Sequence, residues 1–317
     1  MLFFLIAWGK YTTVIGVGQN ISCQGLALAW GMLGSCTWYN KGVYFLSVLV
    51  FSFILGAIVG SFLNVLVLRW NTGVGLGGRS CCFSCGRKLS WLELVPILSF
   101  LFLRGKCSTC KSKISWQYPL GEFATGILFS LLAVKFSLSL HASPYTLFAF
   151  LISAFIGSIL ISITVYDIRH KIIPDGLVYT FVAASLMLLI AGQYPLFTFD
   201  MTFWLDLSAG PILALPLFAM WFFSSGRWIG LGDSKLVWGI GWFLGLFKGI
   251  AAFFLGFWIG AVFGLVLIAL SRINIFPRRI SNFGMKSEVP FAPFLILGAA
   301  VVFFTGMDII SISAFFQ

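Results

Sequence analysis

The stretch "YTLFAFLISAFIGSILISITVYDIRHKIIPDGLVYTFVAASLMLLIAG", residues 145–192, decides the fold. A largely apolar run at 145–166 meets the charged turn "DIRHKIIPD" at 167–175, and a second apolar run follows at 177–192. Each arm approaches the roughly 20 residues that a helix needs to cross a hydrocarbon core of about 30 Å. The stretch therefore reads as two membrane helices joined by a short polar turn. Working outward, comparable runs recur at 43–68, 120–138, 207–223, 236–247, 250–270 and 291–310, the one at 236–247 being short and rich in glycine. The 317 residues are 60% hydrophobic and 9% charged, with a mean hydropathy of +1.04. Soluble domains carry about 25% charged residues. The expected fold class is thus an all-α polytopic membrane protein with about eight transmembrane helices.

A net charge of +11 invites a nucleic-acid reading, but in such a chain the placement of Lys and Arg matters more than their sum. Eight of them lie between Arg69 and Lys113, and Arg169 with Lys171, Arg227 with Lys235, and 272–286 supply every second later connection. The connections at 139–144 and 193–206 carry none. Basic connections face the cytoplasm, which puts both chain ends on the other side. Residues 1–42 form an N-terminal extension without a clean span, 43–68 the first transmembrane helix, 69–119 a cytoplasmic loop, and 120–310 the remaining bundle. No nucleic-acid partner is expected.

The loop "CCFSCGRKLSWLELVPILSFLFLRGKCSTCKSKISWQYPLGE", residues 81–122, carries two Cys-x-x-Cys knuckles, Cys82 with Cys85 and Cys107 with Cys110, separated by 21 residues. Two thiolates from each knuckle complete a tetrahedral sulfur shell at near zinc-ribbon spacing. Four sulfur ligands leave no open position for a catalytic water, so zinc here is structural. Cys81 is left as the spare thiol. Unrelated thiols, or a dithiol redox pair, are the competing reading. Between the knuckles "LELVPILSFLFL" is too short to span and too apolar for water, which assigns it to the membrane interface or to the flank of the bundle.

The chain has only nine carboxylates, and "DIRHKIIPD" holds two of them. Another, Asp233, stands in "GLGDSK" (230–235), 66 residues after Asp167, at the start of the sixth apolar run. Both positions fall at the cytoplasmic ends of spans, where the bundle can bring them together. Two facing carboxylates in a partly desolvated cleft share one proton, so that one activates water while the other donates to a carbonyl. Gly230 and Gly232 would allow a tight turn and close approach of a substrate strand. The plainer reading has Asp167 and Asp233 capping helices or pairing with Arg169 and Lys235. Asn64, at the end of the first span, either orients substrate or makes an interhelical hydrogen bond. A cation transporter and a non-catalytic membrane scaffold are readings from other classes.

In order and spacing, "GSFLNVLVLR" (60–69), the paired knuckles, "RGKC" (104–107), "ISWQYPLGE" (114–122), "DIRHKIIPD", "GLGDSK" and "PFAPFLILG" (290–298) resemble the prepilin peptidase, or type IV leader peptidase, family of membrane aspartic proteases. The resemblance runs from about residue 56 to 298. It implies that Asp167 and Asp233 are the catalytic pair, that Asp175 is structural, and that Cys82, Cys85, Cys107 and Cys110 bind zinc. It further implies a bacterial cytoplasmic (inner) membrane enzyme that cuts the basic leader of type IV prepilins or pseudopilins after a glycine, on the cytoplasmic face. Many members also methylate the new N-terminus from S-adenosylmethionine. Gly105 and Lys106, in the turn before Cys107, are the candidate residues for that cofactor. Glu122 and Glu93 are candidates for meeting the basic leader. A peptidase without methylation, a non-catalytic pilus or secretion assembly protein, and assembly as a homodimer all stay open from the sequence.

Overall fold

The computed structural model describes residues 33–72, 75, 77–138, 142–192, 200–272 and 289–308, and most of the N-terminal extension therefore lies outside the described residues. The described chain is helical, with no strand named among those residues. Helix α1 is Leu33–Arg69, α2 Leu98–Phe102, α3 Gln117–Lys135, α4 Pro144–His170, α5 Asp175–Ala191, α6 Met201–Ser224, α7 Leu231–Leu244, α8 Leu246–Arg272 and α9 Ala292–Thr305. Apart from the short α2, each helix answers one expected span. Four contain a segment long and apolar enough to cross a membrane unaided: α1 (from Phe45), α4, α6 and α8 (to Ser271).

The differences from expectation have local causes. Helix α1 starts ten residues before 43. Helix α4 does not stop before Asp167 but continues to His170, and Lys171 ends it in the left-handed region (φ 55°) with its N–H bonded to the Asp167 carbonyl at 2.7 Å. At its other end Ser143 accepts from the Thr146 N–H at 3.1 Å, and Pro144, which has no N–H to leave unpaired, opens the first turn. Helix α7 starts at Leu231 and so takes Asp233 into its first turn. Its 14 residues rise about 21 Å, short of the bilayer core. Gly245 (φ 79°) stops it. There the Asp206 Oδ1 of α6 accepts the Leu246 N–H at 3.1 Å, capping α8 from across the bundle.

A short helix suffices because α7 is enclosed: it packs against α5, α6, α8 and α9. Leu236, Val237 and Ile240 of α7 join Ile163 of α4, Phe181 of α5, Leu217 of α6 and Leu295 of α9 in one buried apolar core. Gly239 and Gly241 let α7 lie against the Phe181 ring and the Ala209 backbone, each too close to leave room for a Cβ. A smaller cluster, Phe129, Leu132, Ala133, Phe150 and Ala154, joins α3 to α4. Close approach of α1 and α3 depends on Gly56 and Gly60, whose added Cβ atoms would fall 2.5 Å from Thr125 O and 2.8 Å from Glu122 Cα. Packing of small residues is the usual way for membrane helices to associate without a hydrophobic drive between them.

Candidate active site

The core sets two polar helix ends side by side. Asp167, in the last turn of α4, is 4% exposed, and Asp233 sits in the first turn of α7. The Asp167 carboxylate lies near the Ala292 N–H at the start of α9, and that of Asp233 near the Gly230 N–H. These are N–H groups that a helix start leaves without an intrahelical partner. The two carboxylates lie within electrostatic reach of each other. Oδ2 of Asp167 is buried and has no partner among the described residues. A buried oxygen of that kind is costly unless something donates to it, and the donors that could complete it are a water, a proton held between the two aspartates, or a bound peptide.

Two contacts lock the aspartate motifs together. Gly232 faces Ile173, in the turn after α4, so closely that an added Cβ would stand 2.9 Å from the Ile173 Cβ. Lys235 Nζ donates to Asp175 Oδ1 at 2.8 Å and lies 5.0 Å from the centre of the Tyr179 ring. Ser234 Oγ donates to the Ala214 carbonyl at 3.1 Å and ties the same turn to α6. Several sequence expectations change accordingly. Asp175 stands in the first turn of α5, after Pro174 at the cap position, and its partner is Lys235, which is thereby not the partner of Asp233. Gly230 and Gly232 have ordinary backbone angles, and Gly232 is explained by the space Ile173 takes rather than by a tight turn.

The Cys-loop is a separate small construction. The Sγ atoms of Cys82, Cys85, Cys107 and Cys110 lie within 4.8 Å of one another, while Cys81 is outside the group and exposed. Cys82 and Cys110 are 3.7 Å apart, sulfur to sulfur. The backbone N–H of Cys85, then that of Ser84 and the Ser112 hydroxyl, pull the Cys82 thiol down to about 6. The Ser112 hydroxyl and N–H hold Cys110 below its usual range. For Cys85 the Arg87 N–H acts downward, but desolvation and the crowding of Cys82 and Cys110 outweigh it and leave the thiol up at about 11. Four such close sulfurs cannot all carry charge without a cation among them.

Glu93 links the knuckles: its carboxylate takes the Ser108 hydroxyl at 2.6 Å, the Ser90 N–H at 2.9 Å and the Arg87 guanidinium at 2.5 Å. These donors, the Ser108 hydroxyl foremost, lower its pKa to about 2. Glu122 is buried and accepts the Ile97 N–H at 2.7 Å, so neither glutamate is free to meet a leader. Asn64 donates to the Tyr118 carbonyl at 3.0 Å, the interhelical alternative for that residue. Gly105 takes a left-handed turn (φ 65°) packed on the Phe100 ring, with an added Cβ 3.0 Å from the ring, and Lys106 follows in the bridge to Lys113. The pair forms the turn into the second knuckle, with Lys106 exposed.

Fold and site together define a membrane protein that sets two aspartates near each other within a helical bundle and carries a four-cysteine module able to hold a metal. Residues 154–265 match the Type IV leader peptidase family, and residues 54–136 match the Bacterial Peptidase A24 N-terminal domain. The chain is 32% identical to a prepilin leader peptidase/N-methyltransferase of Bacillus subtilis (strain 168), covering 82% of this chain and 95% of that one. It is 30% identical to a protein of the same name from Burkholderia pseudomallei (strain 1026b), over 81% and 85% of the two chains. No solved structure matches it. The chain belongs to the type IV leader peptidase family.

Proposed function

We propose that the protein is a prepilin leader peptidase in which Asp167 and Asp233 are the catalytic pair. The observation that carries this is the meeting of two aspartates from distant motifs, one of them with a buried oxygen that has no partner among the described residues. In that setting one proton is shared by the two carboxylates. The ionised member takes a proton from water as it attacks the peptide carbonyl, the protonated member donates to the carbonyl oxygen, and the leaving amine recovers a proton as the C–N bond breaks. Both residues lie at helix ends on the side of the basic connections, so the site opens at the cytoplasmic face of the cytoplasmic membrane. Prepilins or pseudopilins, themselves apolar helices with basic leaders, would reach it from within the bilayer.

Cys82, Cys85, Cys107 and Cys110 would hold zinc. Tetrahedral bonds of about 2.3 Å place sulfurs about 3.8 Å apart, and the Cys82–Cys110 separation of 3.7 Å fits that edge. The ion would be structural, since the cysteines fill its coordination. Methylation of the new N-terminus with S-adenosylmethionine rests on the relatives' names, and no residue is assigned to that cofactor. Co-expression with a prepilin tests the reading: wild type yields the shortened pilin, with a methyl mass on its N-terminus if the second activity is present, while Asp167→Asn and Asp233→Asn each leave the precursor uncut. Cleavage by either variant would remove the dyad.

A further inference from the structure

The Cys-loop carries more apolar surface than a water-facing module tolerates. Leu98, Leu101 and Phe102, at spacings that share one face of α2, are 51%, 60% and 83% exposed, whereas Phe100 on the other side is buried against Trp116, ring centres 4.8 Å apart. Trp91 in the preceding turn and Trp116 at the mouth of α3 are also mostly exposed. A patch of this kind marks a surface that something covers.

We propose that the module rests on the membrane, with this face of α2 pressed into the interface and anionic lipid headgroups around it. Continuity is the first reason. The module is joined at both ends to helices that read as membrane spans, and the Ile97 N–H is fastened to Glu122 of α3, which holds the start of α2 level with the entry of that helix. At Ile97 the backbone is left-handed (φ 60°), and this turn leads directly into α2.

Charge is the second. Lys88, Arg104, Lys106, Lys111 and Lys113 are exposed, and the one carboxylate within residues 69–119, Glu93, is taken up by Arg87 and the serines. A strongly positive surface around an apolar face fits an anionic bilayer surface. It does not fit a basic leader peptide or a second copy of the same module, which would meet it with like charge. Tryptophans at the rim are the side chains that favour the interfacial layer. The inference rests on the membrane fold and is independent of the catalytic reading.

A benzophenone amino acid placed at Phe102 of the full-length protein, in vesicles of phosphatidylethanolamine and phosphatidylglycerol, tests it. Illumination should give a lipid adduct by mass, and its yield should fall severalfold when phosphatidylcholine replaces the phosphatidylglycerol. Equal yields in the two vesicles would overturn the anionic-lipid assignment. An adduct to a second copy of the chain or to a co-reconstituted prepilin, or no adduct at all, would overturn the membrane seating. The metal content of the purified protein reports whether the module is intact, and if Phe102 does not tolerate the probe, the same probe at Leu101 decides.

Discussion

Gly232→Ala should separate activity from stability. The added methyl would stand 2.9 Å from the Ile173 Cβ, 3.3 Å from its Cδ1 and 3.4 Å from its Cγ1, inside the 3.5–4.0 Å at which carbon atoms attract. Because the nearest atom is a Cβ, no rotamer of Ile173 relieves the clash; the backbone of the turn between Asp167 and Asp175 must give way. Overpacking of this sort costs about 1–3 kcal/mol. Replacing glycine by alanine within a helix returns up to about 1 kcal/mol, so the net loss of stability is small and the thermal midpoint moves by only a few degrees. Catalysis is less tolerant, because a displacement approaching 1 Å between reacting groups lowers the rate about 100-fold. The assay is kcat/KM for prepilin cleavage in detergent or vesicles, run with the melting curve. Ile173→Ala retains the Cβ and should not rescue Gly232→Ala, whereas Ile173→Gly should restore part of the rate. Gly230→Ala is the comparison, since its methyl would meet nothing nearer than Asp233 Oδ2 at an ordinary 3.5 Å. Cleavage by Gly232→Ala at the wild-type rate, or equal losses at both glycines, would refute the contact as the reason for Gly232.

Other outcomes follow from the same contacts. Lys235→Gln and Asp175→Asn break a pair whose aspartate is largely exposed, so each should change stability by less than about 1 kcal/mol in denaturant titrations; a larger loss would mean the pair is screened by membrane or substrate. Cys110→Ser, or a strong chelator, should remove about one equivalent of bound metal and expose the Cys-loop to protease while the bundle retains its helical circular dichroism; wild-type metal content in the serine variant would exclude the four-sulfur site. Glu93 has its folded pKa depressed to about 2, so its contribution to module stability is present above the ordinary carboxylate range and disappears as pH falls through that range toward about 2. Melting curves of wild type and Glu93→Gln should therefore differ at neutral pH and converge in acid; a gap that widens on acidification would contradict the assigned contacts.

Much of this molecule is legible in one dimension. In a bilayer the backbone must satisfy its own hydrogen bonds, so an apolar run of sufficient length has helix as its outcome, and all eight expected spans met a helix. Local spacing covers each knuckle, since thiols with two residues between them are neighbours whatever surrounds them; it is the fold of the loop that brings all four within 4.8 Å. Helix ends were less legible, since α4 runs past Asp167 and α7 begins before Asp233 on account of caps and packing rather than apolarity.

Pairings between distant residues were not written in any local pattern. Lys235 with Asp175, Glu122 with the Ile97 N–H, Gly232 with Ile173 and the Ala292 N–H with Asp167 join residues 25 to 125 positions apart. Opposite charge alone does not choose among partners; Lys235 could as well have met Asp233. The sequence by itself thus determined the class of the molecule, its helices and its two cysteine knuckles, because these follow from composition, run length and short-range spacing; it singled out Asp167 and Asp233 only through the resemblance of their motifs to the family. Tertiary structure alone decided which groups face each other across the bundle, since that depends on where glycine lets one backbone approach another and on which polar atoms the packing brings together.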